Sequence, residues 1–175
     1  MVIVFTGDGK GKTTASLGQM VRITGRGKKA LMIQFIKGPW ESGEHLFADR
    51  FSISRSTFDV QRKGKGFVGI LGDKLPREEH EKAAREALEF FKQEATKGER
   101  GLIVLDEVNV AVSLGLITTQ DVLDAIKDYP EEKLLILSGR GAPQEFIDRA
   151  DLVTEMKDIK HPYHDGKLAK LGIEF

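Results

Sequence analysis

Cysteine is absent from the chain, which removes disulfides, thiolate metal sites and a cysteine nucleophile together and suits a reducing compartment. Net charge is absent as well. Twenty-seven Lys and Arg residues balance twenty-seven Asp and Glu, so no global field draws the protein to nucleic acid or an anionic membrane, and any anion site must be local. No apolar run approaches the ~20 residues of a membrane span, and the opening "MVIVFTGDGK" carries neither a basic leader nor an apolar stretch of signal-peptide length. A cytoplasmic protein without a membrane anchor is expected. With 175 residues, 40% hydrophobic and 31% charged, the chain falls in the globular range, and residues 1–175 are expected to form a single domain around one core.

What is present alternates between two patterns. "VIVF" (2–5), "ALMIQFI" (30–36), "GLIVLDE" (101–107), "KLLILSGRGAP" (133–143), which runs into a Gly-Arg-Gly loop, and "DLVTEM" (151–156) read as strands, several of them buried on both faces, with "FSIS" (51–54) a weaker strand. Between them lie helical periods. One begins at Lys12 with Ala15, Leu17, Met20, Val21 and Ile23 inward and Gly25 past its end; a short one runs through Phe47. A long one extends from Pro76 to Gly98 over a stripe of Ala84, Leu88, Phe91 and Ala95. Another opens at "TTQD" (118–121), which resembles a capping box, and stops at Pro130; a last short one starts at Pro143. Residues 55–75 carry four glycines and no sustained period, which predicts one long functional loop. Buried strands alternating with helices predict an α/β fold, a mostly parallel sheet with helices on both faces.

"TGDGKGKTT" (6–14) joins the first strand to the first helix. It approaches the phosphate-loop pattern GxxxxGK[ST], but Thr6 stands where the first glycine belongs and Gly7 comes one residue late. A surface turn is the competing reading. The setting favours phosphate: glycines let backbone N–H groups turn inward, and the helix start adds unpaired donors with the positive end of its dipole. Gly7, Asp8, Gly9, Lys10, Gly11, Lys12, Thr13 and Thr14 are therefore candidate ATP-binding residues, with Lys12 a point charge on phosphate oxygens and the Thr13 hydroxyl a ligand to Mg²⁺. "LIVLDE" agrees independently, because it carries Asp106 and Glu107 to a strand end, where the metal shell of such proteins is completed.

Nucleotide binding alone does not name a reaction. The stretches "VFTGDGKGKTTAS", "IQFIKG", "GKGF", "VLDEVN", "SGRGAP", "DLVTEM" and "KHPYHDGKLAKLGIEF", in order across nearly the whole chain, resemble the P-loop ATP:corrinoid adenosyltransferases, which make the adenosyl form of vitamin B12 precursors. The resemblance implies a P-loop NTPase fold with a RecA-like core, ATP and a reduced corrinoid as substrates, attack of Co(I) on the ribose C5′, and inorganic triphosphate as leaving group. It implies Mg²⁺ or Mn²⁺ held by Thr13 and Glu107, catalytic roles for Lys12, Thr13 and Glu107, further phosphate contacts from Arg22 and Arg140, and corrinoid binding by Phe67. It also implies a homodimer and a flavoprotein reductant as electron donor.

Two departures stand out. Relatives carry a tryptophan shortly after the phenylalanine, where this chain has Val68 and Gly69, and some carry an N-terminal helix over the active site before the first strand. A small-molecule kinase and an ATPase switch or motor are the competing classes. "RKGK" (62–65) is read as a solvated loop with no role in nucleic-acid binding, and His161 with His164 as structural or substrate-contacting, since two histidines alone make an incomplete metal site. Trp40 either shapes the cleft or covers the core.

Overall fold

The computed structural model describes residues 1–51, 57–70 and 72–173. Among these, β1 (Val2–Thr6), β2 (Lys29–Gln34), β3 (Phe58–Arg62), β4 (Arg100–Asp106), β5 (Leu134–Ser138) and β6 (Leu152–Glu155) form one sheet in the spatial order β3-β2-β4-β5-β1-β6, every pair parallel. The helices are α1 (Lys12–Thr24), α2 (Gly43–Phe51), α3 (Arg77–Lys97), α4 (Val108–Ser113), α5 (Thr119–Ile126) and α6 (Gln144–Arg149). The expected α/β architecture is present. No helix of the described residues is long and apolar enough to cross a membrane.

Successive side chains of a strand point to opposite faces, and in the four central strands, β2, β4, β5 and β1, both faces are covered, so their interiors are apolar. Val2, Val4, Leu31, Ile33, Ile103, Leu105, Leu135 and Leu137 face one core with Phe91 and Phe146; Ile3, Phe5, Ala30, Met32, Leu102, Val104 and Ile136 face another with Met20. At the sheet's outer edge Arg100 donates to Glu94 at 3.1 Å and to Asp59 at 3.2 Å, fastening the end of α3 to β4 and β3.

Three readings are corrected, and one helix was not foreseen. Residues 55–75 are not one loop, because Phe58–Arg62 pairs with β2; as a short edge strand, polar at all but its first and middle positions, it lacks the apolar run that marks the others. α2 continues to Phe51, so "FSIS" does not start as a strand, and its remaining residues lie outside those described. Val21 is 55% exposed: the inward face of α1 is Lys12, Ser16 and Met20, since close packing on the sheet admits a small residue whose hydroxyl bonds back to the Lys12 carbonyl at 3.0 Å. α4, built of "VNVAVS", has a composition that suits a strand, yet Val108 and Ala111 pack into the core at helical spacing.

The capping box is formed as read. Thr118 Oγ1 accepts from the Asp121 N–H at 3.1 Å and the Asp121 carboxylate accepts from the Thr118 N–H at 2.9 Å. Thr118→Ala should lower the stability of the protein by about 1 kcal/mol in urea titration while leaving the slope with denaturant unchanged.

Candidate active site

Four neighbouring strands end on a polar residue at the same edge of the sheet: β1 on Thr6, β5 on Ser138, β4 on Asp106 and β2 on Gln34. Asp106 is the centre of this row. It is 1% exposed; its Oδ1 accepts from Ser138 Oγ at 2.7 Å and Thr13 Oγ1 at 3.0 Å, and its Oδ2 lies 3.4 Å from Gln34 Nε2. Gln34 Nε2 also reaches Glu44 at 3.2 Å, and Glu44 is ion-paired with Lys37. Burial raises the Asp106 pKa against the pull of its donors.

Glu107 follows with a left-handed backbone (φ +61°) that caps α4 and turns its side chain back over the sheet edge; its N–H donates to Ser138 Oγ at 3.2 Å. Gly139 makes the room, since a Cβ there would come within 3.1 Å of Glu107 Oε2. Burial, then the neighbouring Asp106 charge, lifts Glu107 to a pKa of about 7, although Lys12, Arg140 and Lys37 oppose the shift.

The phosphate loop is tight because another segment presses on it. Gly9 N–H donates to the Met156 carbonyl at 2.7 Å, and a Cβ on Gly7 or Gly9 would fall 2.4 Å from the Met156 carbonyl oxygen or 2.5 Å from that of Lys157. Thr6, in place of the usual first glycine, makes a bond that glycine could not, since its hydroxyl accepts the Ala142 N–H at 3.2 Å and ties the loop to the Gly-Arg-Gly segment after β5. Gly11, at φ +118°, turns the chain into α1. Lys12 folds inward, 6% exposed, and donates to the carbonyls of Gly7 at 2.6 Å and Gly9 at 2.7 Å; burial lowers its pKa while Glu107, Asp8 and Asp106 resist.

The sequence-derived residues divide. Gly7, Gly9, Gly11, Lys12, Thr13 and Glu107 converge, and Arg140 is close enough to act on both Lys12 and Glu107. Asp8, Lys10 and Thr14 lie on the exposed side of the loop. Arg22 lies apart: it sits in the last turn of α1, ten residues or ~15 Å of helix from Lys12, beside Leu134 at the start of β5. Within one chain it does not meet the loop. Sequence reasoning missed Gln34, Ser138 and Asn109, whose amide donates to the Gly139 carbonyl at 3.1 Å. The available signal was a polar residue ending an otherwise apolar strand. His161 and His164 serve the tail, accepting the Tyr163 N–H at 3.2 Å and pairing with Asp158 at 2.8 Å, and no cluster of three ligating side chains occurs among the described residues.

Compared with known proteins, residues 1–175 match the model of one family, ATP:corrinoid adenosyltransferase BtuR/CobO/CobP. The chain belongs to that family. It is 33% identical to a corrinoid adenosyltransferase of Escherichia coli (strain K12), over all of this chain and 85% of that protein. It is 31% identical to corrinoid adenosyltransferase CobA of Salmonella typhimurium over the same shares, and 35% to a corrinoid adenosyltransferase of Pseudomonas aeruginosa over all of this chain and 83% of that one.

For a member of this family the donor set suits a hard divalent cation. The Thr13 hydroxyl and the Asp106 and Glu107 carboxylates are oxygen ligands, and burial, followed by the adjacent Asp106 charge, raises the pKa of Glu107, so a cation there would offset both effects. Mg²⁺ commonly takes one or two carboxylates and completes its shell from phosphates and water, so a site short of a full protein cage fits it.

Two outcomes follow from this geometry. Gly9→Ala should abolish detectable ATP binding in calorimetry, because the added methyl has no space before the Lys157 carbonyl. In the metal-free, nucleotide-free protein, Glu107 in the unfolded chain loses its proton near 4.5 while the folded form keeps it to about 7. Stability should therefore fall as pH rises through that window, and Glu107→Gln should flatten this part of the thermal-melting profile.

Proposed function

We propose that the protein transfers the 5′-adenosyl group of ATP to the Co(I) centre of a corrinoid and releases inorganic triphosphate, in the synthesis or salvage of adenosylcobalamin. The observation that carries this reading is the family match along the whole chain; the tight loop enclosing Lys12 accords with it. A lone pair of Co(I) attacks C5′, the C5′–O bond breaks, and its electrons leave on the triphosphate.

The chain must hold a polyanion whose charge grows as the bond breaks. Loop N–H groups other than that of Gly9, which the Met156 carbonyl takes, would donate to the phosphates, and Lys12 exchanges the Gly7 and Gly9 carbonyls for phosphate oxygens, gaining charge-assisted bonds. Arg140 adds charge from the loop after β5. Thr13 and Glu107, with Asp106 beside them, would hold Mg²⁺ or Mn²⁺, which supplies neutralisation of the leaving group when bound. No proton is removed from either substrate, so no side chain acts as a general base. Phe67, half-exposed on the connection between β3 and α3, contacts the corrin and displaces its lower axial ligand. A homodimer in the cytoplasm, supplied with electrons by a flavoprotein, completes the reading.

Anoxic incubation with Mg-ATP and chemically reduced corrinoid should give a carbon–cobalt bond and triphosphate in equal amounts; ADP without corrinoid-dependent triphosphate would refute the assignment. Lys12→Ala should cut turnover at least a hundredfold while the protein still melts cooperatively. Phe67→Ala should slow reaction with a lower-liganded corrinoid more than with one lacking that ligand, and equal loss would remove the displacement role.

A further inference from the structure

The connection between β2 and α2 raises an apolar surface that the fold does not bury. Trp40, the single tryptophan of the chain, is 60% exposed, Phe67 is 46% exposed and Ile70 59%. The tryptophan does not cover the core. Its ring lies 5.9 Å from that of Phe67, centroid to centroid, with the planes tilted by 36°. Beneath it are two glycines: a Cβ on Gly38 would come 2.7 Å from the indole, and one on Gly66 2.9 Å.

The segment is fastened as well as floored. Arg62 Nη1, at the end of β3, donates to the carbonyls of Pro39 and Trp40, each at 2.9 Å, and the Gly66 N–H donates to the Ile36 carbonyl at 2.9 Å, which joins the two loops. Large apolar rings fixed in place and left in water contribute little to folding and mark a surface made for a ligand.

Its position limits the occupant. The phosphate loop leaves β1, while Trp40 and Phe67 leave β2 and β3 at the same edge, three and four strands away. At ~4.8 Å per strand the aromatic pair stands roughly 14 to 19 Å from the loop, with the Asp106 row between. A triphosphate held at β1 extends its nucleoside into that interval, and the second substrate must meet it from the far side. That substrate is a broad macrocycle with apolar faces and an amide fringe, which matches an aromatic floor rimmed by the exposed Glu41 and Lys65.

We infer that Trp40 is a corrinoid-binding residue: its ring, set against Gly38 and Gly66 and paired with Phe67, forms the floor for one face of the macrocycle. This rests on the adenosyltransferase reading above and adds a residue to it from a different loop. Ring placement matters as much as aromatic area, because a side chain at either glycine would displace the indole.

The test is equilibrium titration with a Co(II) corrinoid lacking the lower nucleotide, followed by its absorbance, alongside calorimetric titration with Mg-ATP. Trp40→Ala should weaken corrinoid binding about tenfold or more, and Trp40→Phe should restore most of it. Gly66→Ala, which keeps the indole but displaces it, should behave like Trp40→Ala. Mg-ATP affinity should be unchanged in all three. Equal corrinoid affinity in wild type and Trp40→Ala overturns the inference. So does a parallel loss of Mg-ATP binding, which would make Trp40 a structural residue, or altered sedimentation with corrinoid affinity intact, which would give the surface to a protein contact. Failure of the wild type to form adenosylcorrinoid would count against the activity itself, and it is read from turnover, separately from these affinities.

Discussion

A carboxylate removed from water must have every lone pair answered or lose its charge. Asp106 answers part of that demand with one donor from each of three neighbours: Ser138 from β5, Thr13 from α1 and Gln34 from β2. The contacts work in both directions. A shift of α1 along the sheet, or a slip of β5 by one residue, would leave the carboxylate unpaired inside the protein, so it sets the register of the elements that carry the site. Because β5 lies between β1 and β4, a direct bond from the phosphate-loop strand to the carboxylate strand is out of reach, and Thr13 closes the gap from the helix instead.

The charges around this centre are unequal by arrangement. Asp106 and Glu107 are adjacent in sequence and share one buried edge, while Lys12 spends its donors on backbone carbonyls and Arg140 remains exposed. The loop lysine and the two carboxylates are close enough to act on one another, Lys12 pulling down the Glu107 pKa that burial raises. The left-handed backbone at Glu107 belongs to the same arrangement, since it lets two successive residues present carboxylates to one side of a strand whose side chains otherwise alternate.

Much of this could be read from the chain before its folding was known. The apolar runs announced five of the six strands, because a sheet covered on both faces leaves no polar alternation, and the same rule hid β3, an edge strand in which Phe58 is the single buried side chain. The helix after β4 escaped because Val108, Val110 and Val112 are β-branched, and tertiary packing overrode their preference. The phosphate loop was legible through its glycines, but its cause was not: the pressure of residues 156 and 157 on Gly7 and Gly9 is a contact across nearly the whole length of the chain. Arg22 stands apart from the loop within one chain for a simpler reason. A helix that begins at the site carries its last turn away from it.

The lysine that points into its own loop has a consequence for how the site receives a ligand. A run of glycines free of contacts would sample many shapes, and a ligand would have to meet the whole entropy of choosing one. Lys12, bonded to the carbonyls on either side of Asp8, acts as an internal template that holds the backbone of the loop in one shape. Binding then becomes an exchange of partners around a loop already shaped, and affinity for triphosphate reflects preorganisation as much as charge.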